Sequence, residues 1–529
     1  MENTLDTKES IKKSEPFASQ GFSVSDNVLL CCLGLAKLFI HLATNLAGGY
    51  GYFRDELYYI ACSDHVAWGY VDQPPFSIAA LWLSRLLFGD SLFGLRLFPA
   101  LAGAIVVVLA GLMTRELGGK RFAQILASCS VIVAPLTLGT NSYFSMNSLD
   151  VLFWTLAFYT IILIMKNDGQ KQWIFLGLVL GFGLLNKISV LWLGAGLAVG
   201  LFLTHNRKLL LAPRVWLAAA IAFFIFLPYI IWQAANGFPT LEFVKNATGN
   251  KYVAVSPLEM YIQQGLNMNP LTFLIWFSGL VYFLVSKSAK QFRILPIIYL
   301  TVFIILVINR NSKAEYLGPM FPMLFALGAL TIGKFILRFN WPWLKHTVLA
   351  LVILSGIFVA PFAIAILPVD SFITYSNTLG ITPSTPEKKE LSKLPQYYAD
   401  MFGWERMVAA VFDAYTMLTP EEKTKCAIIG NNYGEAGAID FFGRHYNLPK
   451  AISGHNNYWL WGPRNATGEV VIRLGGSIEA MRASYGEVVQ TGTFKDDYCM
   501  PYENNMAVYI CKNRRTPLKD DWAEFKHYE

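Results

Sequence analysis

One apolar run after another, several of them long enough to cross a bilayer core, limits this chain to a helical membrane protein. A spanning helix needs about 20 mostly apolar residues. Such runs occupy residues 27–46, 94–114, 122–140, 149–165, 173–185, 188–203, 215–232, 271–285, 294–308, 316–337 and 347–367, with a weaker pair at 56–65 and 75–88. Composition agrees. Of 529 residues, 54% are hydrophobic and only 15% charged, with mean hydropathy +0.41. A soluble chain carries about a quarter charged residues. The net charge of +7 is spread in short basic clusters between the apolar runs. That pattern reads as membrane topology rather than nucleic-acid binding. Residues 1–26 are polar and mixed in charge, so no cleavable signal peptide is expected.

Cytoplasmic loops carry an excess of Lys and Arg. Lys8, Lys12 and Lys13 therefore place the N-terminal tail in the cytoplasm. The later basic turns are Arg115 with Lys120 and Arg121, Lys166 with Lys171, residues 205–208, Lys287 with Lys290 and Arg293, and Lys334 with Arg338 and Lys345. All of them share one side only if the weak pair lies along the outer interface, as amphipathic helices do. About eleven crossings follow, within an expected total of about 11–13 transmembrane helices. The outer loops are then 48–74, 141–150, a tight turn at Asn186 and Lys187, 234–270 and 309–315. The expected fold class is an α-helical polytopic membrane protein with a C-terminal α/β domain outside the membrane. Its parts are a cytoplasmic tail 1–26, a membrane domain 27–367, a linker 368–393 rich in Pro, Lys and Glu, and a soluble domain 394–529. That domain is expected to hold a helix at 409–415 and strands at 426–429, 469–472 and 507–510. The seven cysteines show no metal-ligand spacing. In an oxidising exterior, Cys499 and Cys511 are candidates for a disulfide across a hairpin.

The chemistry-bearing residues fall in the outer loops. The stretch Tyr52-Phe53-Arg54-Asp55-Glu56-Leu57-Tyr58-Tyr59 follows the first apolar run and continues to Gly69-Tyr70-Val71-Asp72-Gln73-Pro74-Pro75. Asp55 and Glu56 are candidate catalytic groups, because an ionised carboxylate at a bilayer edge can serve as general base toward a hydroxyl. The plainer reading is that Asp55 caps a short interfacial helix. The proline pair suits the first turn of the next helix. Asp150 is the third candidate; Ser148 or Asn147 would cap its helix, and a carboxylate there also favours the helix dipole. Lys187, Arg310 and Lys313 are cations on the side where basic residues are disfavoured, and with Arg54 they are candidates to hold a phosphate. Snorkelling to lipid headgroups is the plainer alternative. Tyr58, Tyr59, Trp68, Tyr70 and Gln73 are candidates to line the site at the interface. Lys37 and His41, spaced i, i+4, share one helix face and should point into the bundle.

The acidic pair after the first membrane helix, the aromatics and Pro-Pro that follow, the 141–150 loop, the glycine-rich run 181–187 and Gly318-Pro319-Met320-Phe321-Pro322 together resemble the GT-C glycosyltransferases that use lipid-linked sugars. More closely they resemble the protein O-mannosyltransferase superfamily and its bacterial relatives that add aminoarabinose to lipid A. The resemblance spans most of residues 27–367. It implies a membrane transferase that takes sugar from a polyprenyl-phosphate donor of undecaprenyl type. The acceptor would be a lipid, glycan or protein, and membrane lipids would surround the enzyme. It also implies functional roles for Asp55-Glu56 and Asp150, and places Lys187 near the carrier phosphate. A bacterial inner membrane, with the active site and C-terminal domain on the periplasmic side, is the implied location. No cofactor is firmly implied. A divalent metal stays open, since the zinc-type site of one relative has no counterpart here. The competing reading is a transporter or flippase of a lipid-linked sugar. Transporters place ionisable groups near the bilayer midplane, whereas the acids here sit in outer loops.

Overall fold

The computed structural model describes residues 24–251, 253–309, 312–385 and 387–529. Lys8, Lys12, Lys13 and Arg310 lie outside the described residues. Every apolar run read from the sequence is helical. In chain order the helices are α1 (Val24–Ala47), α2 (Arg54–Asp64), α3 (Phe76–Phe88), α4 (Leu92–Glu116), α5 (Arg121–Val133), α6 (Pro135–Thr140), α7 (Met146–Lys166), α8 (Gln170–Asn186), α9 (Val190–Leu203), α10 (Pro213–Ala235), α11 (Pro239–Asn246), α12 (Pro257–Asn267), α13 (Phe273–Val285), α14 (Ile294–Ile308), α15 (Phe321–Phe339) and α16 (Trp343–Val359). The protein is a multi-pass membrane protein. Among the described residues, six helices are long and apolar enough to cross a membrane alone. A seventh span forms if the segments Pro257–Asn267 and Pro270–Val285, bent by 105° at their break, count as one. Helices α3, α5, α9 and α14 are apolar but shorter, so the expected count of 11–13 exceeds what length alone supports. The run 122–140 divides into α5 and α6 at Pro135, whose missing N–H ends a hydrogen-bonded ladder.

The weak pair does not behave as two similar interfacial helices. Helix α3 is amphipathic, burying Ile78, Leu81 and Ser84 while Trp82, Leu86 and Leu87 face outward. In α2 every residue except Asp55 and Asp64 is buried, because the C-terminal part of the chain covers it. Lys37 and His41 are both fully buried in the bundle, as their spacing implied.

Beyond the bundle come α17 (Val369–Thr378), α18 (Gln396–Ala399), α19 (Trp404–Thr416), α20 (Pro420–Lys425), β1 (Cys426–Ile429), α21 (Tyr433–Phe442), β2 (Val470–Leu474), β3 (Tyr485–Phe494) and β4 (Met506–Arg514). The sheet order is β1-β2-β4-β3, with β1 parallel to β2 and the other pairs antiparallel. The three strands read from sequence are present. Strand β3 was not expected, since its exposed, polar residues give no apolar alternation. Within residues 368–393, read as a linker, lie α17 and the buried Glu387.

The disulfide expected between Cys499 and Cys511 is not formed; both thiols are buried and free. Successive strand residues face opposite sides of a sheet. Cys511 packs with Val471 and Met481 on one face, whereas Cys499 packs with Val508 and Ile510 on the other.

Helix α21 lies directly against α2. A Cβ at Gly434 would stand 2.5 Å from Arg54 Cγ, and one at Gly437 would stand 2.9 Å from the Leu57 backbone. Only glycine permits so close an approach at these two positions.

Candidate active site

Helix geometry splits the acidic pair. Neighbouring residues on a helix point about 100° apart, and here Asp55 and Glu56 face different surroundings. Glu56 turns inward and is fully buried. Its Oε1 accepts from Arg96 Nε at 2.9 Å and Phe144 N at 2.8 Å. Its Oε2 accepts from Arg96 Nη2 at 2.8 Å and Phe53 N at 2.9 Å. Glu56 thereby closes the start of α2 and ties it to α4 and to the loop before α7. Breaking such a buried pair by removing one partner costs about 3–5 kcal/mol. The candidate catalytic role for Glu56 is corrected accordingly: both oxygens are engaged in holding the site's frame.

Asp55 turns the other way, into a cavity of about 240 Å³. Its side chain is 34% exposed and lies 3.6 Å from Arg54 Nε. Tyr433 Oη donates to Asp55 Oδ1 at 2.9 Å. Arg54 lines the same cavity, donates to Tyr502 Oη and lies 3.8 Å from Asp400.

The start of α7 brings Asp150 to the cavity. Ser145, not Ser148 or Asn147, caps that helix, accepting from Asn147 N at 3.3 Å. Asp150 accepts from Ser189 Oγ at 3.0 and 3.1 Å and lies 3.7 Å from Lys187 Nζ. Lys187 also donates to Asn147 Oδ1 at 2.7 Å and sits over the Tyr316 ring at 5.2 Å. Asp150 is therefore the fixed counter-charge of a lysine rather than a lone base.

On the far wall, Lys251 and Lys313 lie 3.6 and 3.7 Å from Glu387. Burial raises the pKa of Glu387, but the neighbouring charges of Lys251, Arg54 and Lys313 outweigh it and bring the carboxyl down to about 2. Asp72 accepts from Tyr58 Oη at 2.9 Å. Burial pushes its carboxyl up to about 6, because the charged form loses hydration there.

A second, more apolar groove of about 350 Å³ joins this cavity. The two share Asp72, Met146, Lys187, Phe243 and Tyr316, and the groove continues along Ile188, Leu191, Trp192 and Val244. Of the residues singled out from sequence, Asp55, Asp150, Lys187, Lys313, Arg54, Tyr58 and Tyr59 meet around the cavity. Trp68 is 63% exposed and stands outside it. Tyr70 and Gln73 are buried away from it; the Tyr70 hydroxyl closes its own loop by donating toward Cys62 O and His65 O. Sequence reasoning missed Asp72, Lys251, Glu387 and Tyr433 as cavity residues. Asp72 stood inside the motif, but the other three carry no local signal.

Among the described residues, no group of three or more His, Cys, Asp or Glu side chains is placed to hold a metal ion. A carboxylate facing a wet cavity, cations fixed beside it and an apolar groove leading away can together take a proton and hold the phosphate end of a lipid.

Comparison with known proteins agrees with this arrangement. A family model described as dolichyl-phosphate-mannose-protein mannosyltransferase matches residues 72–232. The chain is similar to the lipopolysaccharide core galacturonosyltransferase RgtB of Rhizobium johnstonii, with 27% identity over 247 residues, 46% of this chain and 49% of that protein. It is also similar to an undecaprenyl phosphate-alpha-4-amino-4-deoxy-L-arabinose arabinosyl transferase of Pseudomonas aeruginosa, with 24% identity over 285 residues and half of each chain covered. The chain thus spans about half the length of the curated relatives it matches. Its fold is similar to that of ArnT from Cupriavidus metallidurans in the apo state, with TM-score 0.60 and 13% identity over 91% of this chain and 97% of that one. The match to the same protein bound to undecaprenyl phosphate also has TM-score 0.60, with 92% and 98% covered. The resemblance read from the sequence motifs is borne out as a likeness, in fold to ArnT and in sequence to the arabinosyl and galacturonosyl transferases.

Proposed function

We propose that this chain is an integral-membrane glycosyltransferase that moves a sugar from a polyprenyl-phosphate carrier, of undecaprenyl type, to an envelope acceptor such as lipid A or another glycan. The observation that carries this reading is the continuity of the charged cavity with the apolar groove at Lys187. A lipid-linked sugar has that division: a polar sugar, an anionic phosphate and a long apolar tail. The organisms of the similar proteins are bacteria, which supports a bacterial inner membrane with the cavity on its periplasmic side.

In the proposed reaction the acceptor hydroxyl oxygen attacks the anomeric carbon while Asp55 takes its proton. The new C–O bond forms as the bond from that carbon to the carrier phosphate breaks. A single displacement inverts the anomeric centre. The transition state resembles an oxocarbenium ion, as in other glycosyl transfers. The leaving polyprenyl phosphate gains negative charge, which Lys187, held in place by Asp150 and Asn147, offsets. The test uses purified protein with radiolabelled polyprenyl-phosphate sugars and extracted envelope lipids. Labelled acceptor with inverted linkage is expected; failure of every donor and acceptor pair to give product refutes the reading.

A pH dependence follows from Asp72. Its carboxyl is neutral below about 6 and charged above. It lines both the cavity and the groove, so its ionisation adds a negative charge beside the carrier site. The donor phosphodiester keeps one charge throughout this range. KM for the donor is therefore expected to rise a few-fold between about pH 5 and 7. Asp72→Asn should flatten that rise; an unchanged profile in the variant would remove Asp72 from the carrier site.

A further inference from the structure

We propose that Tyr433 is a positioning residue for Asp55, so that the segment after the membrane bundle supplies part of the reaction centre; this rests on the transferase reading above. Tyr433 is the first residue of α21, whose N-cap Asn432 accepts from Gly434 N at 2.8 Å and Glu435 N at 3.0 Å. Its ring is packed between Tyr58, 4.6 Å away, and His455, 4.7 Å away, with the Arg54 guanidinium 5.5 Å from its centroid. Those contacts leave the phenol no alternative orientation. A phenol carries one proton to donate, and Asp55 Oδ1 receives it at 2.9 Å.

Two consequences follow for Asp55. With Oδ1 occupied, Oδ2 is the oxygen free to take a proton from an acceptor hydroxyl. The same hydrogen bond also resists rotation of the Asp55 side chain, which keeps the carboxylate at the cavity wall. Burial holds Tyr433 protonated, its pKa raised well above the usual phenol value, so it stays a donor. The other charged or titratable groups around Asp55 are Arg54 at 3.6 Å and, at longer range, Asp72, Asp400, Tyr59 and Tyr143. None of these replaces the short contact from Tyr433. The close seating of α21 on α2 at Gly434 and Gly437 is what brings that hydroxyl within reach.

Tyr433→Phe keeps the ring and its packing and removes only the hydroxyl. The expected result is a fall in kcat of about tenfold, the size of one charge-assisted hydrogen bond, with KM for the donor little changed. Loss of mere packing would lower Tm and leave kcat of the folded protein near wild type, so kcat, KM and Tm are read together. A kcat within twofold of wild type overturns the proposal. Asp55→Asn is measured alongside. If that variant transfers sugar normally, the transferase mechanism itself fails. If it is inactive while Tyr433→Phe keeps the wild-type kcat, only the positioning role fails.

Discussion

Asp55→Asn is expected to slow sugar transfer by about 10²–10⁴-fold, the range contributed by a positioned general base. The substitution is nearly isosteric. The asparagine carbonyl can still accept from Tyr433, so α21 should stay seated on α2 and the cavity should keep its shape. What is lost is a group able to take the acceptor's proton, and several neighbouring carboxylates are already engaged. Asp150 is held by Ser189 and Lys187, Glu387 by two lysines, and Glu56 faces away. Carrier binding should survive, because the proposed sites for phosphate and tail lie at Lys187 and the apolar groove. Steady-state kcat, paired with binding of polyprenyl phosphate alone, checks both halves of the expectation. A variant within tenfold of wild type would assign the proton to another group.

Lys187→Met is expected to reduce transfer by about 10²–10³-fold, the effect of removing one group that meets developing charge. This variant has a second consequence that must be separated from the first. Without the lysine, Asp150 is a buried carboxylate left with neutral donors such as Ser189, and an uncompensated buried charge destabilises by about 3–5 kcal/mol. The single variant should therefore be both slow and less stable. Adding Asp150→Asn removes the stranded charge and should restore Tm while transfer stays low. Recovery of both Tm and transfer in the double variant would make the lysine structural and leave the phosphate to other cations.

The parts of this molecule visible in the sequence are those with local causes. Apolar runs had to become helices, since a bilayer leaves no other way to satisfy the backbone. Asp55, Asp150 and Lys187 were recognisable because each breaks a local rule, acid or base beside a membrane segment. The split of Asp55 from Glu56 required the helix phase of α2, which its weak apolar pattern does not reveal. Glu387 sits in a run of Lys and Glu that reads as solvated, and only Lys251 and Lys313 from distant loops make it a buried wall residue. Tyr433 looks like one aromatic among many. Its role depends on a contact across 378 residues, and nothing near it in sequence marks that.

That same separation sets an order of events during synthesis. Chains grow at about 5–20 residues per second, so the 378 residues between Asp55 and Tyr433 take roughly 20–75 s to add. Through that interval the nascent protein already holds Asp55, and soon Asp150 and Lys187, with the roof over α2 still unmade. A chain grown only as far as the membrane bundle therefore lacks a complete cavity, and the segment around Tyr433 closes the wall that the segment around Asp55 began.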